Sequence, residues 1–428
     1  MFRFSAGGGE PVSNATPEDG RQYWYPQILP GGRSVIFTAS LPEPDAGDVI
    51  VLDLETGERR TLVTGGVAGR YVPTGHVVFI RGGDLWAIRF DPERMEVVGE
   101  EAVVEQGIRV EPGGAVQVAI AGDGSLAYIP GGAAAYPPRT LVWVDRQGRE
   151  EAIDVPGRTY RYSRLSPDGA SVALEVLEQE SDVWIWSLTR DTLTRLTFGS
   201  TGSGPVWSPD SARIAFLHQD GNIFWQAADG SGVPEPLTRD GERRIFPRAF
   251  SPDGTQILGS ESAAPRDIYL LDVPAGREAQ RLIGTTFEEN NPELSPDGRW
   301  LAYQSNESGR SEIYVRPFPD VDARRWQIST AGGTRPLWSR DGRELFYLVG
   351  SGTIMAVPVE MTQTFAAGRP EIVVEGDYAA VGVGRAYDVS PDGRRFLMVK
   401  NVDAGGEAPP AQIVLVQHWF EELKALVP

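Results

Sequence analysis

The chain contains no cysteine and, in 428 residues, only three histidines, His76, His218 and His418. Lacking cysteine, it can form no disulfide, iron–sulfur cluster, thiolate zinc site or thiol nucleophile, and it suits a reducing or an oxidising compartment equally. Scarce histidine limits imidazole catalysis and metal binding. Lysine is almost missing too: Lys400 and Lys424 are the only two, and arginine supplies the remaining cations, a bias that a GC-rich genome produces. Positive charge is in deficit, with Lys plus Arg at 40 against 59 for Asp plus Glu, a formal net charge of −19. Such a field repels phosphate backbones and anionic lipid, so neither nucleic acid nor direct membrane insertion is expected. No run approaches the ~20 apolar residues of a spanning helix. The opening MFRFSAGGGEPVSNATPEDG has no apolar signal core. As written, the sequence reads as cytoplasmic; as a piece of a longer membrane protein, it would be periplasmic or extracytoplasmic.

Glycine and proline, in contrast, are abundant at 50 and 33 residues and are spread along the whole length. They fall in a repeat. The motif S-P-D-G or a variant stands at 29–33 (LPGGR), 72–76 (VPTGH), 121–125 (AGDGS), 166–169, 208–211 (SPDS), 251–254, 295–298, 339–342 (SRDG) and 390–393. Proline presets the second turn position, aspartate bonds its own backbone, and glycine supplies positive φ. The motif therefore predicts a tight hairpin. Asp168, Asp210, Asp253, Asp297, Asp341 and Asp392 are expected as turn formers, one per repeat, and not as a carboxylate array. An apolar stretch precedes each motif, as in Pro205-Val206-Trp207. Strand-like runs follow, such as ARIAFLH (212–218), then DVWIWSL (182–188) or DIYLLDV (267–273), then a short last run.

Four short strands repeated at 42–51 residues predict an all-β chain, a β-propeller with aromatic residues between its blades. Counting motifs gives a single domain over 1–428 with nine blades, or eight if the repeat around Tyr71–Glu105 is displaced. In this reading 385–419 form the last blade, residues 1–15 supply its closing strand, and 418–426 form a short helix.

The pattern x-W/F/L-S-P-D-G-x-x-h-A-F/Y followed by I-Y-h-h-D resembles the Pro-Asp repeats of TolB-like propellers, which also occur in prolyl-oligopeptidase-type and tricorn-like proteins. The segments GGEP (8–11), YWYPQILPGGR (23–33) and YDVSPDGRRFLMVK…IVLVQHWFEELKALVP (387–428) are similar to the C-terminal propeller of bacterial membrane-bound serine/threonine kinases. That resemblance implies an extracytoplasmic sensor or scaffold domain. No kinase motif is present. A peptidase of the prolyl-oligopeptidase type needs a G-x-S-x-G elbow, and the sequence has none.

The expectation is thus a non-catalytic, monomeric binding propeller for a protein, peptide or small ligand, with no cofactor. The alternative is a calcium-dependent hydrolase or lyase with ligands among Glu288, Glu289, Asn290, Asn291 and Asp388. A ligand would meet the loops feeding the innermost strands. Tyr23, Tyr25, Tyr160, Arg161, Arg244, Glu289, Asn291, Arg335 and Arg385 are the candidates there, because tyrosine and arginine are frequent anchors. The same arginines could instead pair with neighbouring carboxylates.

Overall fold

The structure, a computed structural model, describes residues 2–3, 12–13, 22–40, 47–111, 115–131, 137–177, 181–199, 202–239, 243–262, 265–273, 278–362, 364–379, 384–402 and 412–428. Its secondary structure is antiparallel β-sheet with one helix, Trp419–Leu426. The chain divides into two compact units, 137–403, and 1–136 with 404–428.

Each S-P-D-G segment builds the same turn. Ser166 Oγ donates to Asp168 Oδ1 at 2.5 Å, and that oxygen accepts the Ala170 N–H at 2.9 Å. Ser166 Oγ in turn accepts the Ser171 N–H at 2.9 Å. The serine–aspartate bond recurs at Ser208–Asp210, Ser251–Asp253, Ser295–Asp297, Ser339–Asp341 and Ser390–Asp392, between 2.5 and 2.7 Å. Gly169, Gly254, Gly298, Gly342 and Gly393 close their turns at φ between +67° and +74°, where an L side chain is strained. The turns also lie side by side: a side chain added at Gly169 would strike Pro391, and one at Gly254 or Gly298 would touch Pro209 or Pro252.

In the unit 137–403 the described residues form six sheets. Five follow the repeat, with innermost strands Tyr160–Leu165, Ser203–Trp207, Ile245–Phe250, Glu289–Leu294 and Thr334–Trp338. The sixth draws on both ends of the unit, in the order Glu150–Arg158, Arg139–Asp145, Arg395–Asn401, Tyr387–Val389. Period-2 alternation lets each sheet bury both faces. In the first sheet Ala173 and Ile185 face Trp207 and Phe216 of the second, while Val172 and Leu174 face Trp143 and Leu397 of the sixth. The fifth packs on the sixth through Phe346, Ile354, Tyr387 and Phe396. Indole N–H groups stitch neighbours together: Trp207 Nε1 donates to the Arg164 carbonyl at 2.9 Å and Trp338 Nε1 to that of Glu293 at 3.1 Å.

The other unit holds two four-stranded sheets, 22–64 and 67–105, and a three-stranded one built from Val118–Ile120, Leu126–Tyr128 and Val414–Val416. The helix forms where the sequence predicts it and buries Trp419 and Leu423 among Val78, Ile80 and Leu126. His76 is structural: its ring bonds Thr74 Oγ1 and, at 2.7 Å, the Val427 carbonyl.

The strand pairings differ from those expected of the last blade. In the expected closing strand 1–15, Phe2–Arg3 pairs with Val12–Ser13, and the rest of the segment lies outside the described residues. The expected 385–419 blade is divided. Its strand Arg395–Asn401 pairs with Arg139–Asp145, and Val414–Val416 pairs with Leu126–Tyr128. The reason is that alternation fixes which face of a strand is buried but not which strand lies beside it.

The turns carry a pH prediction. Asp168, Asp210, Asp253, Asp341 and Asp392 all ionise below the ordinary 3.8, because the turn serine hydroxyl and then a backbone N–H bond the carboxylate. A folded value below the unfolded one gives stability that is complete above the unfolded value and lost as pH falls through the folded one. The contribution of these turns to the urea midpoint should therefore be complete above the ordinary 3.8 and be lost as pH falls below it. Asp253→Asn should lower the midpoint at pH 7 and lose less of it on acidification. An acid slope unchanged by that substitution would contradict the assignment.

Candidate binding site

The turn serine provides a coordinate common to all six sheets of the unit 137–403. The residues two positions before it are Arg164, Val206, Ala249, Glu293, Leu337 and Asp388. All six line one cavity of about 380 Å³. Its wall extends to the turn residues Pro167, Pro209, Pro252, Pro296 and Arg340 and inward to Arg248 and Arg385. The cavity therefore belongs to the turn end of the innermost strands, away from the loops that feed them.

Four guanidinium groups and two carboxylates line it, an excess of cation inside a chain of net charge −19. Arg385, 7 % exposed, is the compensated one, 3.2 Å from Glu293 and 3.8 Å from Asp388. Asp388 also accepts the Leu165 and Val389 N–H groups at 3.0 and 2.9 Å. Arg164 donates to the Arg385 carbonyl at 2.8 Å, and its Nε has no partner among the described residues. Arg340 donates to the Ser166 carbonyl at 3.1 Å. Arg248 is 4 % exposed, lies over the Phe246 ring at 5.3 Å, and leaves its Nε unpaired. Among the described residues its side chain makes no hydrogen bond or ion pair, and Tyr162 and Glu175 act on its charge only at longer range. Burial pushes the guanidinium of Arg164 down to about 9 and that of Arg248 to about 10, so both stay charged at neutral pH. Burial also raises the Glu293 carboxyl, against the pull of Arg385 and Arg164.

Of the nine residues expected from sequence, Arg385 alone lines this cavity. Tyr160 is fully buried with its hydroxyl on the Pro156 carbonyl at 2.5 Å, which takes it off any exposed surface. Tyr23 and Tyr25 belong to the other unit, where the Tyr23 hydroxyl accepts from Arg59 at 3.1 Å. Arg161 faces Glu175 at 3.3 Å, and Arg244 donates to the Gln219 carbonyl at 2.9 Å. Glu289 is buried, accepts from Thr285 and Ser305, and has a carboxyl raised by burial. Asn291 donates to Gln304 Oε1 at 3.2 Å and Arg335 to the Gly384 carbonyl at 2.6 Å.

Tyr25, Asn291 and Arg335 share a structural cause. Each stands four residues before the turn, as do Ala68 and Gly204, and all five have φ between 51° and 62°. At this position the innermost strand bulges and its register shifts, which re-aims the side chain. The residues proposed for calcium are likewise engaged within the fold. Glu288 pairs with Arg266 at 2.5 Å and Asn290 accepts the Asn291 N–H at 2.7 Å. Among the described residues no three histidine or carboxylate side chains converge as metal ligands.

Sequence reasoning missed Arg164, Arg248, Glu293 and Arg340. The signal was present: Arg164 and Glu293 are charged where Val206, Ala249 and Leu337 hold apolar residues at the same repeat position.

Residues 242–372 match the family model for PD40, TolB beta propeller domain. Among curated proteins the chain is 27% identical over 111 residues to "Uncharacterized peptidase YuxL" of Bacillus subtilis, covering 24% of this chain and 17% of that protein. It is 23% identical over 203 residues to "Uncharacterized protein Atu1656" of Agrobacterium fabrum, covering 45% and 68%. The chain thus spans only about a sixth of the first relative. Among solved structures, "putative TolB" from Agrobacterium tumefaciens superposes with a TM-score of 0.50 at 20% identity, covering 63% of this chain and all of that one. The fold is therefore that of a TolB-like β-propeller.

The cavity predicts opposite effects for two of its charges. Arg248→Met removes a buried cation whose side chain has no hydrogen-bond or ion-pair partner among the described residues and should raise stability by about 1–3 kcal/mol. Glu293→Gln strips Arg385 of one counter-charge and should lower it by about 3 kcal/mol. Urea unfolding at pH 7 measures both, and destabilisation by Arg248→Met would contradict the unpaired state of that side chain.

Proposed function

We propose that residues 137–403 form a six-bladed propeller that works as a non-catalytic binding module, with its ligand in the axial cavity. One observation carries the reading: a single cavity takes one residue from each of six sheets, and three of those six, Arg164, Glu293 and Asp388, are charged. Apolar residues at that position would fill the axis more stably, since buried charge opposes folding unless compensated. Charge retained at such a position is a mark of binding. Among the described residues, those lining the cavity include no serine, threonine or histidine, so no described hydroxyl nucleophile and imidazole base meet there. The setting we propose is the bacterial envelope, as a receptor-kinase sensor or a TolB-like scaffold. Support for that setting comes from the resemblance of 387–428 and from the TolB-type family match.

The test is thermal unfolding of the full chain with peptides, cell-wall fragments, sugars, calcium and chelator. A ligand at about 100 times its Kd adds roughly 2.7 kcal/mol, a shift of a few degrees in a chain this long. The shift should vanish in Ala249→Phe and in Val206→Phe, which fill the cavity from different sheets. Shifts that survive in both variants, or cleavage of an added peptide, would contradict the proposal.

A further inference from the structure

We propose that Arg248 is the anchor for the carboxylate of an organic anion whose apolar body lies along the cavity wall. The inference rests on the axial-cavity reading and specifies its ligand. Arg248 combines three properties. It is 4 % exposed, it lines the cavity, and among the described residues its guanidinium has no acceptor. The other buried cations differ. Arg385 faces two carboxylates, and Arg164 donates to a carbonyl. A buried charge without a partner raises the free energy of the empty protein, and a ligand oxyanion relieves that state.

The surroundings narrow the anion. Guanidinium presents a planar fork that matches a carboxylate through two parallel N–H···O bonds. Glu293 and Asp388 stand in the same wall and repel a second negative charge, which disfavours phosphate and sulfate. Val206, Ala249 and Leu337 provide apolar surface in the same wall. A monoanion with a hydrophobic body fits all three features, and it can be a small organic acid or the C-terminus of a peptide ending in an apolar residue.

The experiment is calorimetric titration of the full chain at pH 7 with two matched pairs. One is N-acetyl-phenylalanine and its amide; the other is Ala-Ala-Phe with a free and an amidated C-terminus. Inorganic phosphate and sulfate complete the set. At least one free acid should bind about tenfold or more tighter than its amide, and the pair that does so separates small acid from peptide end. In Arg248→Met the preference should collapse while weak binding of the amide persists and the melting temperature does not fall. A residue that merely supports the fold would give the reverse. Equal binding of acid and amide, a preference that survives Arg248→Met, tighter binding of phosphate or sulfate, or no binding at about 10 mM probe would each overturn the proposal. Equal binding that disappears in Ala249→Phe and Val206→Phe would leave the cavity reading intact and remove Arg248 from it. Binding that survives both cavity-filling variants would remove the cavity reading itself.

Discussion

The unit 137–403 depends on the pairing of Arg139–Asp145 with Arg395–Asn401, seven residues opposite seven without a break in register. Remove it and two sheet edges open, each with a row of unpaired backbone groups. Leu141 and Trp143 then lose their cover on one side, and Phe396 and Met398 on the other. The pairing joins positions more than two hundred residues apart, so the loop-closure entropy it overcomes is large, though it grows only logarithmically with length. Side chains reinforce it: Lys400 reaches Glu150 at 2.6 Å and Arg146 reaches Glu344 at 2.5 Å. These pairs are part-exposed, and such contacts contribute little compared with the apolar burial beneath them.

The cavity takes one side chain from each of six innermost strands, and the size of those side chains decides how much of it is filled. Val206 and Ala249 are short, which leaves room beside them for the long side chains of Arg164, Arg248 and Glu293. Charge here works locally. At physiological salt the screening length is about 8 Å, so the net charge of −19 governs approach to the outer surface. The arginines govern what stays once inside, where the dielectric is low and interactions between charges are stronger.

The turns were fully legible in the sequence because their physics is local. Ser251, Asp253 and Gly254 each make their decisive contact within five residues, so a four-letter motif is enough to specify them. The helix at Trp419–Leu426 was legible for the same reason. Strand partnership was not. The segments Arg139–Asp145 and Val414–Val416 carry ordinary strand patterns, and nothing in those patterns says that the two exchange partners between repeats. The site was half legible. Tyr25, Asn291 and Arg335 stood out by residue type, yet what they share is a bulge in the strand. Arg164, Glu293 and Asp388 lay inside apolar stretches and were visible only by comparing one repeat with the next. Arg248, one residue further from its turn, stands where the other repeats hold Ser163, Pro205, Pro292, Pro336 and Tyr387.

The closing pair can be tested directly because the chain has no cysteine of its own. Thr140 and Lys400 are directly opposite, and a Thr140→Cys, Lys400→Cys double variant places two thiols at cross-strand separation, within reach of a disulfide. Air oxidation, followed by non-reducing electrophoresis and thermal unfolding, should show one intramolecular disulfide and a higher melting temperature that reductant reverses. Two free thiols in the folded, oxidised protein would contradict the pairing.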